Sequence, residues 1–169
     1  GRAETDYWRQ NALFFLGATL TNVQRLEEAM IAHEQDLATT RRLYGPDDYR
    51  TIEAEEFLAS SMRDKGGTEN LRRANEMMSR CYDWKVRYIG RDHERTLNAA
   101  LQLAYSLRLL GSLNEAELLY RDTLAQFSRV YGETHFHTLI AVWKSTRERH
   151  ARECWFSHRF ECQFYLAQV

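Results

Sequence analysis

The side chains best suited to chemistry are four His and Cys residues near the carboxyl end of the sequence. They are His150, Cys154, His158 and Cys162, and their spacing of four would place them along one side of a helix. Imidazole and thiolate groups are ligands that zinc prefers in proteins. The series would extend over about 18 Å, so that only neighbouring pairs could share an ion, whereas structural zinc sites take ligands from two elements. We therefore predict no metal site and no cofactor.

Other chemical motifs are also missing from the sequence. His135 and His137 lie in a turn-like segment, where a histidine is better suited to capping a helix than to binding a metal. Cys81 is predicted to be a small core residue. The sequence contains no Gly-rich phosphate loop, no HExxH motif and no Ser-His-Asp order, so we predict that the protein is not an enzyme.

The composition is that of an ordinary soluble globular protein, with 44 % hydrophobic and 28 % charged residues. The net charge of −1 provides no broad field for nucleic acid or anionic lipid. We find no signal peptide and no apolar run of membrane-spanning length, and the three cysteines lack the spacing of a disulfide framework. We therefore predict a cytoplasmic protein that binds neither nucleic acid nor membrane. Because the first residue is Gly rather than Met, we expect a piece of a longer chain.

One short motif occurs three times and marks the boundaries of the helices that would carry any binding residues. It reads YGPDDYRTI at 44–52, IGRDHERTL at 89–97 and YGETHFHTL at 131–139. Its glycines lie 45 and 42 residues apart, and its threonines give the same two differences, which is typical of a helical repeat array. The glycine can end one helix in the left-handed conformation, and Asp48, Asp92 or Thr134 can cap the next one. Each copy therefore predicts a helix end followed by a helix start.

The apolar spacing after each turn predicts helices throughout. Ala100, Leu103, Ala104 and Leu107 recur at helical spacing, and the preceding unit repeats this stripe except at Glu55. Breaks at 64–67 and 109–117 divide the second and third units into two helices each. A single proline and eight glycines are too few turn residues for the short strands of a sandwich or barrel. The predicted class is all-α.

Residues 97–139, LNAALQLAYSLRLLGSLNEAELLYRDTLAQFSRVYGETHFHTL, resemble the long-helix tetratricopeptide repeat of kinesin light chains and of NB-ARC-associated repeat tails. The resemblance covers about residues 5–142. It implies a right-handed superhelical stack of antiparallel helix pairs within a single domain, 1–169. The expected boundaries are repeat 1 at about 5–45, repeat 2 at about 46–90, repeat 3 at about 91–132, and a partial repeat with a cap at about 133–169.

The same resemblance assigns small residues to the positions where helices cross. They are Gly17, Ala29, Ala59, Ala74, Ala104 and Ala116. Small side chains allow neighbouring helices to approach closely, which supports this register. The next position in each second helix takes a large partner, which is Tyr120 in the third unit, Met78 in the second and, unusually, His33 in the first.

The resemblance further implies that partners bind along a concave face lined by the first helix of each pair. The corresponding exposed positions are Asn11, Phe14, Glu53, Glu56, Ser60, Arg63, Asn98, Leu101, Tyr105, Arg108, Ile140, Trp143, Arg147 and His150. Aligned arginines favour carboxylates or phosphates, and the apolar members would supply anchors. We therefore predict a protein-interaction scaffold that binds an acidic and aromatic peptide or a partner domain. The alternative is that these side chains pack against one another or face water.

The aromatic end of the sequence leaves a second function open. Phe156, Phe160 and Phe164 would share one face of a helix, which is typical of a closing helix or an interface. On this alternative, the array is a structural or oligomerisation module of a larger multidomain signalling or adaptor protein, and residues 152–169 mediate self-association.

Overall fold

A computed structural model gives the structure of the protein and describes residues 2–132, with side chains from Tyr7 onward. This range forms the helices α1 (Arg2–Asn22), α2 (Leu26–Tyr44), α3 (Tyr49–Lys65), α4 (Thr68–Tyr88), α5 (Glu94–Leu109) and α6 (Leu113–Tyr131). No strand occurs between residues 2 and 132, and the predicted all-α class is confirmed. The partial fourth repeat, the His and Cys series and the aromatic end all lie outside the described residues.

The described helices form three pairs that stack in series. Each helix packs against the next one along the chain, and α1 also touches α3. We call the surface made by α1, α3 and α5 the inner face, and the surface made by α2, α4 and α6 the outer face. The arrangement is a tetratricopeptide-type solenoid, as the sequence predicted.

The glycines and threonines of the repeated motif build the turns between pairs. Gly45 and Gly90 have φ values of 91° and 105°, which a residue with a side chain rarely adopts. Thr51 and Thr96 are fully buried, and their hydroxyls donate to the carbonyls of Gly45 (2.7 Å) and Lys85 (3.4 Å) respectively. The repeated threonine therefore ties the start of one helix pair to the end of the pair before it.

The helix caps follow the repeat register more closely than residue type. Asp48 caps α3 as predicted, and its Oδ1 accepts from the backbone N–H of Arg50 at 2.9 Å. The prediction of Asp92 as the cap of α5 is wrong by one residue. His93 is the cap, because it stands three residues after its glycine just as Asp48 does, and its Nδ1 accepts from the backbone N–H of Arg95 at 3.1 Å.

The small residues predicted at the helix crossings are all buried, as are Met78 and Tyr120. His33 is also buried, and its ring stacks on that of Phe57 with centroids 5.8 Å apart. A Cβ added at Gly17 would lie 2.5 Å from Cε1 of His33. The missing side chain at position 17 therefore makes room for the imidazole, so that the first pair keeps a matched contact.

Glu55 interrupts the predicted apolar stripe but stays buried. Arg41 of α2 and Arg80 of α4 both donate from Nη2 to Oε1 of this carboxylate. The equivalent position in the third pair is Ala100, an apolar residue that is buried in the core without any charge to compensate. Two ion pairs therefore compensate for a charged residue at a core position.

Candidate functional site

The inner face brings several of the predicted binding residues to the surface. Eight of those between residues 11 and 108 are half-buried. They are Asn11, Phe14, Glu53, Glu56, Ser60, Asn98, Tyr105 and Arg108. The four predicted residues from Ile140 to His150 lie outside the described residues. The candidate site is therefore the part of the inner face that α1, α3 and α5 form.

The predicted exposure of Leu101 is wrong. This side chain is only 2 % exposed and belongs to the core of the third pair, together with Leu97, Ala104, Tyr120 and Phe127. Repeat register alone did not distinguish it from Tyr105, one helical turn further on, which remains half-buried. Leu101 stabilises α5 against α6 and is not an anchor for a partner.

Phe14 is already engaged by a neighbouring helix. Its ring meets that of Phe57 edge to face, with centroids 4.8 Å apart and an interplanar angle of 88°. An edge-to-face pair of aromatic rings contributes stability in addition to that of the apolar area it buries. Phe14 therefore packs α1 against α3, and only its half-buried remainder can touch a partner.

The most developed feature of the inner face is a cluster of two arginines around one tyrosine, Arg63, Tyr105 and Arg108. The guanidinium carbon of Arg63 lies 4.9 Å from the centroid of the Tyr105 ring, and that of Arg108 lies 5.0 Å from it. Both distances allow an attraction between the cation and the aromatic ring. The structure thus unites three residues that the sequence had assigned to one surface.

The two arginines of this cluster differ in access. Arg63 was predicted to be exposed, but it is buried at 9 % exposure, because its Nη1 donates to Oε1 of Gln102 at 2.7 Å and its Nε donates to Oδ1 of Asp64 at 3.2 Å. Arg108 is half-buried. Arg63 is therefore suited to fixing the Tyr105 ring, whereas Arg108 is the better candidate to meet a partner.

Sequence reasoning missed Gln102 because it stands between two buried leucines in the apolar part of α5. Only the placement of α5 beside α3 brings its amide to Arg63. No local pattern of residue types would have identified it.

The other end of the inner face is acidic. Tyr49 donates its hydroxyl to Oε1 of Glu53 at 3.1 Å, and the buried Lys85 donates from Nζ to Oε2 of Glu56 at 2.6 Å. Burial raises the pKa of Glu53, the Glu56 charge raises it further, and Lys85 opposes both. Sequence reasoning did not identify Lys85, because it lies on the second helix of its pair. The inner face is thus acidic near the start of α3 and basic near its end.

A buried acid lies next to this acidic end. Gln10 of α1 donates from Nε2 to Oδ1 of Asp36 at 3.1 Å, and Asp36 is completely buried. Burial raises the pKa of Asp36 to about 6, the hydrogen bond from Gln10 opposes the rise, and the charge of Glu53 adds to it. Asp36 therefore lies where the first pair packs against α3 and is not a contact residue.

The described residues show no centre for metal or thiol chemistry. Among them, no group of three or more His, Cys, Asp or Glu side chains could hold a metal ion. Cys81 is buried as predicted, and burial together with the charges of Glu55 and Glu56 raises the pKa of its thiol to about 12. None of the helices within residues 2–132 combines the length and apolar character needed to cross a membrane.

Comparison with known proteins agrees with this architecture. Residues 15–50 and 96–137 match the family model of the tetratricopeptide repeat. The chain is similar to a Podosopora anserina structure of nearly identical TPR-like repeats assigned to kinesin light chain, with 17 % identity, a TM-score of 0.74, and coverage of 85 % of this chain and 67 % of that one. It is also similar to BtubC (BKLC) from P. vanneervenii, with 13 % identity, a TM-score of 0.62, and coverage of 89 % and 66 %.

None of the curated proteins compared with the chain matches it significantly. Two segments of the chain thus match the tetratricopeptide-repeat model, and the structural similarities show that the fold is a tetratricopeptide-type solenoid, as the sequence had suggested. The chain spans about two thirds of the length of each of the two structures.

Proposed function

We propose that the protein is a non-enzymatic interaction scaffold whose inner face binds an acidic and aromatic segment of a partner protein. The observation that carries this proposal is the cluster of Arg63, Tyr105 and Arg108, which joins two first helices at one accessible point. Stacked helix pairs present extended surfaces that suit such binding. The ligand class follows from the chemistry of the cluster.

Arg108 supplies the charge that would select the partner. A guanidinium offers a planar fork of N–H donors that matches a carboxylate in two-point hydrogen bonding. The half-buried Tyr105 ring beside it offers an aromatic surface on which an aromatic side chain can pack. A segment that carries a carboxylate near an aromatic residue satisfies both groups at once.

The acidic end of the inner face favours one placement of this segment. Glu53 and Glu56 lie near the start of α3 with Lys85 as the nearby cation, so a second carboxylate there would meet like charge. The partner's acidic residues are therefore directed to Arg108, and a neutral or basic residue suits the position beside Glu53.

Composition supports the remaining parts of the proposal. The net charge of −1 favours a protein partner over nucleic acid, and the cysteine usage suits the cytoplasm. The self-association predicted for residues 152–169 lies outside the described residues.

A selection from a display library of short random peptides tests the inner face. The affinities of the enriched peptides are then measured for the wild-type chain and for Tyr105→Ala and Arg108→Gln variants. We expect carboxylates and aromatic residues to be enriched. Arg108→Gln should weaken binding about tenfold or more, because a hydrogen bond to a charged group contributes about 1.5–3 kcal/mol. Tyr105→Ala should weaken binding severalfold, because an aromatic pair contributes about 0.5–1.5 kcal/mol beyond its buried area.

Arg121→Gln is the matched control, because Arg121 is exposed on α6 and pairs with Glu117 in its own helix. Its effect on the affinity should be negligible. Peptides that bind the Tyr105→Ala and Arg108→Gln chains as tightly as the wild-type chain would overturn the proposal, provided that circular dichroism shows both variants folded.

A further inference from the structure

The outer face contains a groove that the proposed function does not use. It has a volume of about 480 Å³ and lies between α2 and α4, with α3 as its floor. The lining residues that matter here are Leu37, Arg41, Glu55, Leu58, Met77 and Arg80. The groove therefore spans the first and second helix pairs on the outer side.

One end of this outer groove is a fixed pair of cations. Arg41 and Arg80 reach the same oxygen of Glu55 from opposite walls, and Glu55 itself is 1 % exposed. Their own side chains are 47 % and 49 % exposed. Two guanidinium groups against one carboxylate leave one net positive charge, and each guanidinium carries five N–H donors. This end is therefore preorganised for a second carboxylate, supplied from outside.

The middle of the outer groove is apolar. Leu37 and Leu58 are buried core residues, and the half-buried Met77 packs against the same cluster. Leu37 precedes Arg41 by four residues and Met77 precedes Arg80 by three, so this apolar patch lies about one helical turn from the cations. A ligand that fills both parts needs an aliphatic side chain about one turn away from its carboxylate.

The far end of the outer groove has no excess of positive charge. Glu34 and Arg73 line it two helical turns before Arg41 and Arg80, while Glu76 lies one turn before Arg80 and pairs with Arg72 at 2.7 Å. An anion is therefore attracted to the Arg41 and Arg80 end alone, which fixes the direction in which a charged segment would lie.

We propose that the outer groove is a second docking site, which takes an acidic segment of a partner protein. The partner's carboxylate lies between Arg41 and Arg80, and its aliphatic side chain packs on Met77. The site depends neither on the inner face nor on the function proposed for it.

The test uses a chain in which Tyr105→Ala and Arg108→Gln have removed the inner site. Short random peptides are selected on this chain, and the dissociation constants of the enriched peptides are measured by fluorescence anisotropy. We expect these peptides to carry a carboxylate about one helical turn from an aliphatic residue.

The decisive variant adds Arg41→Gln, Glu55→Gln and Arg80→Gln together. Because it neutralises the buried carboxylate along with its two cations, it should fold, which thermal melting checks. The affinity should fall about tenfold or more in this variant, and severalfold in Met77→Gln. Arg121→Gln and Met30→Gln are the matched controls, since Arg121 is exposed on α6 and does not line the groove, and Met30 packs against the same core without lining it. Neither control should change the affinity.

Three results would overturn this proposal. They are the absence of any enriched peptide, an affinity that the triple variant leaves unchanged, and enrichment without a preference for carboxylates. Inorganic phosphate that binds the groove as tightly as the selected peptides, with no dependence on Met77, would show a small-anion site in place of a docking site.

Discussion

The junction between the first and second helix pairs buries different chemistry from the junction between the second and third. The first junction encloses His33, Asp36 and Glu55, each at most 1 % exposed. The second joins its helices through Leu103 and through Arg63, whose guanidinium contacts Gln102 and the ring of Tyr105. One fold therefore holds its repeats together by two different means.

Buried polar atoms without a hydrogen-bond partner occur in the second and third pairs, at Oδ1 of Asn75 and Oγ of Ser106, but at the first junction they belong to ionisable side chains. Nδ1 of His33, Oδ2 of Asp36 and Oε2 of Glu55 are buried without a hydrogen-bond partner. Burying a polar or charged group is unfavourable unless it is paired. The first junction thus depends on charge compensation and should respond strongly to substitutions that change charge. The second depends on the stacking of a cation on an aromatic ring and on apolar packing.

The largest expected effect comes from removing the two cations of the first junction. The Arg41→Gln and Arg80→Gln double variant leaves Glu55 buried without a counter-charge. Breaking a buried ion pair from one side typically destabilises a protein by about 3 kcal/mol or more. We expect a loss of that size in the free energy of unfolding, measured by urea denaturation.

Adding Glu55→Gln to this double variant should recover most of the loss, because the uncompensated charge disappears. Two exposed arginines with local partners, Arg72 and Arg121, provide the control when both are changed to Gln. That control should change the stability by less than about 1 kcal/mol. If the double and triple variants were equally stable, charge compensation would not be what holds the first junction.

A smaller effect is expected from Gly17→Ala. The new methyl group would enter the space of the His33 ring, and overpacking of this kind costs about 1–3 kcal/mol. Thermal melting of Gly17→Ala, of His33→Ala and of the double variant would show the coupling between the two positions. We expect the double variant to be more stable than the sum of the two single losses predicts. Strict additivity would mean that the glycine does not serve the histidine.

The sequence predicted the parts of the fold that repeat. Gly45 and Gly90 have backbone angles that favour glycine, and Thr51 and Thr96 make equivalent hydrogen bonds in two equivalent turns. The spacing of these residues was therefore enough to predict the helix boundaries. The small residues at helix crossings were predicted from the resemblance to the tetratricopeptide repeat, whose register the motif spacing supplies. Each of these features is local or periodic, and periodicity is visible without coordinates.

The candidate site was predictable only in part. The register placed Arg63, Tyr105 and Arg108 on one face, and the structure brings them together. It did not separate Leu101 from that face, and it gave no indication of Lys85 or Gln102. These residues act through contacts between helices that lie far apart in sequence, where side-chain length and the packing of the neighbouring helix decide which atoms meet. The outer groove was missed for the same reason, since three helices contribute to it.

The smallest net effect at neutral pH is expected from Asp36→Asn, whose sign depends on pH. Burial raises the pKa of Asp36 from 3.8 to about 6, so between these values the folded state holds a proton that the unfolded state has lost. Wild-type stability therefore falls as the pH rises through this window, by an amount on the order of 2–3 kcal/mol. Asparagine cannot ionise, and its Oδ1 can still accept the hydrogen bond from Gln10. Its NH₂ group, however, takes the place of Oδ2 of Asp36, which has no hydrogen-bond partner.

That buried NH₂ costs about 1–2 kcal/mol at every pH. The two contributions predict a crossing: Asp36→Asn should be less stable than wild type at pH 4 and about 1 kcal/mol more stable at pH 7, as measured by urea denaturation at both values. Asp122→Asn, at an exposed position on α6, should show no such crossing. If the wild type and Asp36→Asn differed by the same amount at both pH values, the carboxyl of Asp36 would not change its ionisation on folding. Asp36 would then contribute nothing to the pH dependence of the first junction.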